Sequence, residues 1–205
     1  MKLYGAERGV NPRRVRIFLA EKGVADIEHV NLDLRAGDNL SDEFLQKNPW
    51  RTVPVLELDD GSFISESVAI CRYFEALYPE PNLFGTTPYE IADIETWSRR
   101  VEFDCQVPTS QCFRNVTRIF EGREECSEEW GEISRRRMLE GLLRMERRLE
   151  ESTFVTGERF TVADIMLTVV LDQALNAIKQ PLDEEHYGSL LSWYDEIKAR
   201  PSYRA

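Results

Sequence analysis

The sequence predicts a small mixed α/β domain followed by an all-helical domain. Strand and helix patterns alternate over residues 1–79, prolines and a glycine cluster within 80–88, and no convincing strand pattern follows in 89–205. A chain of 205 residues has the length for one large domain or two small ones. We therefore expect two domains, 1–79 and 89–205, joined by the linker 80–88.

The first domain is expected to run strand, helix, strand, helix, strand, strand, helix. Residues 2–5 fit the first strand, and Asn11-Pro12 is expected to open the first helix, with Asn11 as the N-cap and the proline at the first helical position. A second strand fits 27–32, although its alternation of apolar and polar residues is weak, and a short helix fits 41–47.

A β-hairpin is the most regular local signal of this domain. Its strands, 53–58 and 62–64, flank Asp60-Gly61, a dipeptide typical of tight hairpin turns. Pro54 has no N–H group to donate to a ladder, so it belongs at a strand end or edge. Helical periodicity resumes after the hairpin and ends before the linker.

Helices alone are expected in the second domain, at about 89–121, 127–151, 162–178 and 187–199. The first helix should bend at Pro108. The third keeps a helical repeat of apolar residues over its whole length, which is typical of a centrally buried helix. Thr161 and Asp164 at its start have the spacing of a capping box, with Asp in place of the usual Glu.

Composition and charge exclude several classes of function. The 26 Lys+Arg against 37 Asp+Glu leave a formal net charge of −11, which disfavours a nucleic-acid binder. The 4 cysteines form no Cys-x-x-Cys pair and the 2 histidines lie far apart, so no metal is expected. No signal-peptide pattern or membrane-length apolar run is present. We expect a soluble cytoplasmic protein with reduced thiols and without a membrane partner.

Three stretches of the sequence carry a resemblance to a known family. They are Asn48-Pro49 through Val53-Pro54-Val55-Leu56, the run Ile-Ser-Glu-Ser-Val-Ala-Ile at 64–70, and the helix start at 161–164. In their order and spacing, the chain resembles the cytosolic glutathione transferases over essentially its whole length. The resemblance implies a thioredoxin-like βαβαββα domain that binds glutathione, an all-helical domain that supplies the second-substrate pocket, and a homodimer.

The resemblance also implies which residues of the hairpin bind glutathione. Pro54 matches a cis-proline of the family, and the main-chain N–H and C=O of Val53 would bond the cysteinyl backbone of glutathione. An ordinary trans-proline ending a strand is the alternative. Arg51 and Thr52 depart from the family's usual Gly-Lys or Gly-Arg, so Thr52 could donate only through its hydroxyl or backbone.

Two further positions are implied at the charged ends of glutathione. Ser67 and the free N–H groups of a helix start would hold the γ-glutamyl carboxylate, and Glu66 would pair with the γ-glutamyl ammonium. Ser67 could also be a helix N-cap, and the two roles are compatible. Asn39 matches a position near the glycyl end of glutathione, although a plain polar loop residue fits the sequence equally well.

The position that holds the glutathione thiolate differs from the usual family pattern. The loop after the first strand, Gly5-Ala-Glu-Arg-Gly-Val-Asn11, has none of the usual Tyr, Ser or Cys. Asn11 resembles the asparagine of a bacterial branch called the Nu class, in which disulfide reduction is common, although Gly9 replaces that branch's threonine. A backbone N–H of the Gly9-Val10 segment is the alternative partner for the thiolate.

The second substrate is expected to be a small electrophile or a disulfide. Its pocket would be lined from the first helix of the second domain, where the candidates are Gln106, Thr109, Cys112 and Phe113. The same four positions could instead be core or surface residues of that helix. A second hypothesis is a catalytically silent module of the same fold, used for binding or assembly. The retained Glu66-Ser67 pair argues against it, since a pure scaffold needs no carboxylate niche.

Overall fold

The computed structural model describes all residues from Met1 to Ala205. It divides into two compact units, one of Met1–Asn82 with Arg204–Ala205 and one of Leu83–Tyr203. No helix combines the length and the apolar character needed to cross a membrane. The two units are described separately below.

The first unit has the predicted order of strands and helices. Its elements are β1 (Lys2–Gly5), α1 (Val10–Glu21), β2 (Glu28–Asn31), α2 (Asp42–Lys47), β3 (Val55–Glu57), β4 (Phe63–Ser65) and α3 (Ser67–Leu77). The strands form one sheet in the order β2-β1-β3-β4. β1 pairs with β2 in parallel and with β3 antiparallel, and β3 pairs with β4 antiparallel. This mixed sheet is that of a thioredoxin-like domain.

Apolar residues cover both faces of this sheet. Leu3 lies opposite Leu56 in the register of β1 and β3, and both are buried. Tyr4 and Val55, their neighbours along the strands, lie on the other face, because side chains alternate in a strand. These two pack with Phe44 of α2. The helices α1 and α3 pack against each other.

The start of α1 differs from the sequence prediction. Gly9, not Asn11, is the N-cap, with extended backbone (φ −75°, ψ 133°) and no capping side chain. The amide N–H of Arg13 donates to the carbonyl of Gly9 at 2.9 Å, which makes Val10 the first helical residue. The prediction was wrong because the first N–H groups of a helix need no intrahelical acceptor, so Pro12 is tolerated at the third helical position as well as at the first.

The second unit consists of helices. They are α4 (Pro88–Arg100), α5 (Val107–Thr117), α6 (Glu128–Glu150), α7 (Val162–Asp172) and α8 (Glu184–Lys198). The predicted helix 89–121 is therefore α4 and α5, joined by the π-helical turn Val101–Gln106. That turn directly precedes Pro108, where the bend was expected. The helix ends at Thr117 because Arg118 adopts a left-handed conformation (φ 51°).

Helix α7 lies in the core of the second unit, as its apolar pattern predicts. Every residue from Val162 to Leu171 is buried. The predicted capping box is present in both directions between Thr161 and Asp164. The Asp164 carboxylate also accepts the main-chain N–H of Val155 at 2.9 Å. Burial raises the pKa of Asp164 to about 6, even though these hydrogen bonds lower it. The cap therefore ties the preceding loop to the helix as well as satisfying its first turn.

Candidate active site

The loop before β3 places the predicted Val53-Pro54 segment at the edge of the first unit. The Val53–Pro54 peptide bond is cis. The antiparallel ladder of β3 begins at Val55, which lies opposite Tyr4 and Ser65, so Val53 precedes the paired part of the strand. The alternative of a trans-proline at the strand end is wrong.

Two asparagine side chains hold this loop in place. The Asn39 Nδ2 donates to the carbonyl of Arg51 at 2.7 Å, where the backbone is left-handed (φ 59°). The Asn48 Nδ2 donates to the carbonyl of Thr52 at 2.9 Å and to its Oγ1 at 3.1 Å. Two successive carbonyl groups before Val53 are thus fixed by side-chain amides.

Asn39 and Asn48 therefore stabilise the conformation of this loop. The Oδ1 of Asn39 is enclosed by the chain, so its amide supports Arg51 and offers no accessible oxygen. Asn48 is 2% exposed, and sequence reasoning placed it in a motif without giving it a role. The signal that could have found it is a buried asparagine directly after α2, because such an amide needs partners and the following loop has unpaired carbonyl groups.

The junction of β4 and α3 contains the predicted pair Glu66-Ser67. Glu66 is the N-cap residue and has a positive φ of 69°, which is uncommon for a residue other than glycine. Ser67 is the first residue of α3 and is buried. Its Oγ accepts a hydrogen bond from Arg14 Nη1 at 2.7 Å. Ser67 is therefore not the N-cap, which was the simpler interpretation of its position.

Arg14 is a site residue that sequence reasoning missed. It is buried in α1, 53 positions before Ser67. The pattern contained a signal, because Arg14 precedes the buried Ile17 and Phe18 by three and four residues and so shares their helix face. A charged residue on an apolar face needs a specific partner.

The loop between β1 and α1 is held at both backbone polar groups of one residue, Glu7. The N–H of Glu7 donates to Asn31 Oδ1 at 2.9 Å, and its carbonyl accepts from Arg16 Nη2 at 2.6 Å. The N–H of Gly9 donates to the carbonyl of Ala6 at 3.0 Å. Of the two backbone alternatives for the thiolate, the Gly9 N–H is thus already used, which leaves that of Val10.

Asn11 lies at the second position of α1, half-buried, in the first turn of the helix. Pro12 packs over the loop that precedes it. A Cβ added at Gly9 would lie 3.0 Å from Pro12 Cδ and 3.2 Å from the carbonyl oxygen of Ala6. A side chain at position 9 would therefore require Pro12 or the Ala6 carbonyl to shift by a few tenths of an ångström.

The Tyr4 hydroxyl and the thiols of Cys71 and Cys105 are unsuited to bind a glutathione thiolate or to replace it. The Tyr4 hydroxyl donates to Glu57 at 2.5 Å, and burial together with Glu57 raises the pKa of Tyr4 to about 12. Burial likewise raises the pKa of Cys71 and of Cys105 to about 12, so both thiols stay protonated at neutral pH. Asn11 and the Val10 N–H remain the candidates in this loop.

The four residues predicted to line a second-substrate pocket have different surroundings. Thr109 and Cys112 are fully buried, and the Thr109 hydroxyl donates to the carbonyl of Cys105 in the preceding turn. Gln106 and Phe113 are half-buried. A groove of about 330 Å³ in the second unit is lined instead by other residues, among them Phe103, Val107, Pro108, Trp130 and Arg137.

Comparison with known proteins identifies the family. Residues 3–82 match the N-terminal domain of the glutathione S-transferase family, and residues 128–196 match its C-terminal domain. The chain belongs to the glutathione S-transferase family. Glutathione S-transferase 2 of Saccharomyces cerevisiae is 37% identical over 207 residues, which cover 100% of this chain and 88% of the relative.

Solved glutathione transferase structures agree with this assignment. The crystal structure of Gtt2 from Saccharomyces cerevisiae has a TM-score of 0.94 and 37% identity, covering 100% of this chain and 99% of the other. A class Gtt2 enzyme of Vibrio parahaemolyticus has a TM-score of 0.86 and 39% identity, covering 100% and 96%. The predicted fold of a glutathione transferase is therefore confirmed. The finer resemblance of the first loop to the Nu class stays a prediction.

Proposed function

We propose that this chain, a glutathione transferase-like enzyme, binds glutathione in its first unit and uses the thiolate for conjugation or for disulfide reduction. The observation that carries the proposal is the Glu66-Ser67 junction. There a helix start, whose first N–H groups lack intrahelical acceptors, coincides with a buried hydroxyl and a carboxylate. This combination fits the paired carboxylate and ammonium groups of a γ-glutamyl end.

The γ-glutamyl end and the cysteinyl backbone of glutathione have proposed partners in this arrangement. Ser67 and the first N–H groups of α3 hold the γ-glutamyl carboxylate, and Glu66 pairs with the ammonium group. The main chain of Val53 before cis-Pro54 bonds the cysteinyl backbone as an added strand would. Thr52 lies beside it, and Asn39 contributes by holding the Arg51 carbonyl, which keeps the loop in place.

Asn11 is the proposed partner of the thiolate. Lowering the pKa of a thiol from about 8.5 by about 2 units requires about 2.7 kcal/mol of preferential stabilisation of the thiolate. A hydrogen bond to a charged group supplies about 1.5–3 kcal/mol, and the positive end of a helix adds up to about 1 kcal/mol. Because Asn11 lies in the first turn of α1, one side chain benefits from both effects.

We further propose a cytoplasmic homodimer that acts on small electrophiles or disulfides, with detoxification as the outcome of conjugation. Large apolar side chains of α4 and α5 and of the π-helical turn are exposed, including Tyr89 (79%), Phe103 (63%) and Val107 (46%). Such a face is typical of an interface between subunits. All 4 cysteines are free, which fits a reducing compartment.

Calorimetric titration with glutathione tests the proposal, followed by turnover assays with 1-chloro-2,4-dinitrobenzene and with hydroxyethyl disulfide. We expect binding together with turnover of one of these two substrates. Binding without either activity would favour the catalytically silent module. Absence of glutathione binding by the folded protein would overturn the proposed site.

A further inference from the structure

A buried positive charge lies directly behind the start of α3. Arg14 is 3% exposed, and its Nη1 lies 2.7 Å from Ser67 Oγ. The guanidinium group keeps its charge in a protein interior. Its charge also lowers the pKa of Cys71, four residues after Ser67 in α3, against the larger effect of burial. Arg14 thus presents a cation to the residue that we assign to the γ-glutamyl carboxylate.

The hydrogen bond from Arg14 also decides the polarity of the Ser67 hydroxyl. A serine hydroxyl can donate one hydrogen bond and accept two, whereas a guanidinium group can only donate. Ser67 Oγ is therefore the acceptor towards Arg14, and its proton stays available for an acceptor on a ligand. The first N–H groups of α3 can only donate as well. The helix start consequently offers hydrogen-bond donors and a positive charge.

We propose that Arg14 is a positioning residue that makes this site specific for a carboxylate. It keeps the Ser67 hydroxyl oriented as a donor and adds a buried positive charge, so that a ligand with a neutral group at this point binds more weakly. The inference rests on the proposed glutathione site and adds to it the residue that selects the charge of the γ-glutamyl end.

The test compares two peptides on the full-length protein. One is glutathione, and the other is γ-aminobutyryl-cysteinyl-glycine, which lacks only the γ-glutamyl carboxylate. Loss of one charge-assisted hydrogen bond weakens binding by at least about tenfold. We expect the parent protein to prefer glutathione by at least that factor, and Arg14→Met to reduce this preference severalfold while its Kd for the shorter peptide changes by less than about twofold.

Three further variants separate positioning from general support of the fold. Arg72→Met removes an exposed arginine of α3 and should keep the preference. Arg14→Lys keeps the charge and should keep part of the preference for glutathione. In the double variant Arg14→Met/Ser67→Ala, the loss of glutathione affinity should be smaller than the sum of the losses in the two single variants, because both substitutions remove the Arg14–Ser67 bond.

Each outcome has a distinct meaning. If Arg14→Met weakens both peptides equally, or keeps the preference, Arg14 has only a structural role and the inference is wrong. If Arg14→Met does not fold, Arg14→Lys decides, because a reduced preference for glutathione fits the inference, whereas a preference equal to that of the parent or a complete loss of the preference contradicts it. A parent protein that binds neither peptide would overturn the proposed function itself, and with it the inference.

Discussion

The amide NH₂ of an asparagine can donate a hydrogen bond to a thiolate, and we propose that Asn11 does so from the first turn of α1. Asn11→Asp removes this donor and adds a negative charge, but an acidic residue is favourable in a first helical turn, so α1 should remain stable. We expect glutathione still to bind and the pKa of its bound thiol to rise by about 1–2 units, which ultraviolet absorbance titration of the thiolate measures.

Asn11→Ala is the matched control, since it removes the donor without adding a charge. It should raise the pKa of the bound thiol by less than Asn11→Asp does. If both variants form the thiolate as the parent does, Asn11 is not its partner, and the Val10 N–H is the group to examine next.

Tyr4 shows how the environment of one side chain decides between a structural and a catalytic role. Burial and Glu57 raise the pKa of Tyr4 to about 12 in the folded protein, against an ordinary value of 10.0. Between these two values the unfolded chain loses the proton and the folded chain keeps it. The contribution of Tyr4 to stability is therefore fully present below pH 10 and is lost as the pH rises towards 12.

Tyr4→Phe should lower the free energy of unfolding at neutral pH and have a smaller effect at high pH. Its free energy of unfolding, measured with urea, should be below that of the parent by about 1 kcal/mol at pH 7, because the bond to Glu57 is lost. The difference should shrink near pH 11. Turnover at pH 7 should stay within about twofold of the parent. A large loss of turnover would mean that Tyr4 contacts the thiolate.

At the scale of elements, Gly141 allows α6 to pack closely on the π-helical turn between α4 and α5. A Cβ added at Gly141 would lie 2.1 Å from the carbonyl oxygen of Asp104 and 2.8 Å from its carbonyl carbon. Both neighbours are backbone atoms, so the clash requires one of the elements to move. We expect Gly141→Ala to lower the free energy of unfolding by about 1–3 kcal/mol in urea titrations.

Gly188 in α8 is the control for this substitution. No atom lies within 4 Å of a Cβ added there. Gly188 directly follows Tyr187, whose non-helical backbone (φ −136°, ψ 25°) kinks α8, so Gly188→Ala should change the free energy of unfolding by less than about 1 kcal/mol. Equal effects of the two substitutions would contradict the close approach of α6 to the π-helical turn.

At the scale of the whole molecule, the exposed apolar face of α4 and α5 predicts self-association. We expect light scattering at micromolar concentration to report about twice the chain mass of 23.9 kDa. Phe103→Glu places a charge in this face and should shift the mass towards that of the monomer. Leu40→Glu, on an exposed turn of the first unit, should leave the mass unchanged. A monomeric parent protein would overturn the proposed dimer.

The sequence by itself determined the order and type of the elements in the first unit and the all-helical character of the second, but not the π-helical turn that separates α4 from α5. These features depend on neighbours within a few residues, such as the Asp60-Gly61 turn, the apolar repeat of α7 and the capping box of Thr161 and Asp164. Local hydrogen bonds and side-chain periodicity favour the same structure as the final packing does, so the pattern alone is sufficient.

Only the tertiary structure decided the start of α1 and the partners of the site residues. Proline is tolerated throughout a first helical turn, so the sequence pattern did not fix the N-cap: the prediction of Asn11 was wrong, and the Gly9 carbonyl accepts the first helical bond. The Arg14 bond to Ser67 and the Asn39 bond to Arg51 join residues 53 and 12 positions apart. Such pairs form because folding buries polar groups that must then find hydrogen-bond partners, and the distance between them is set by packing.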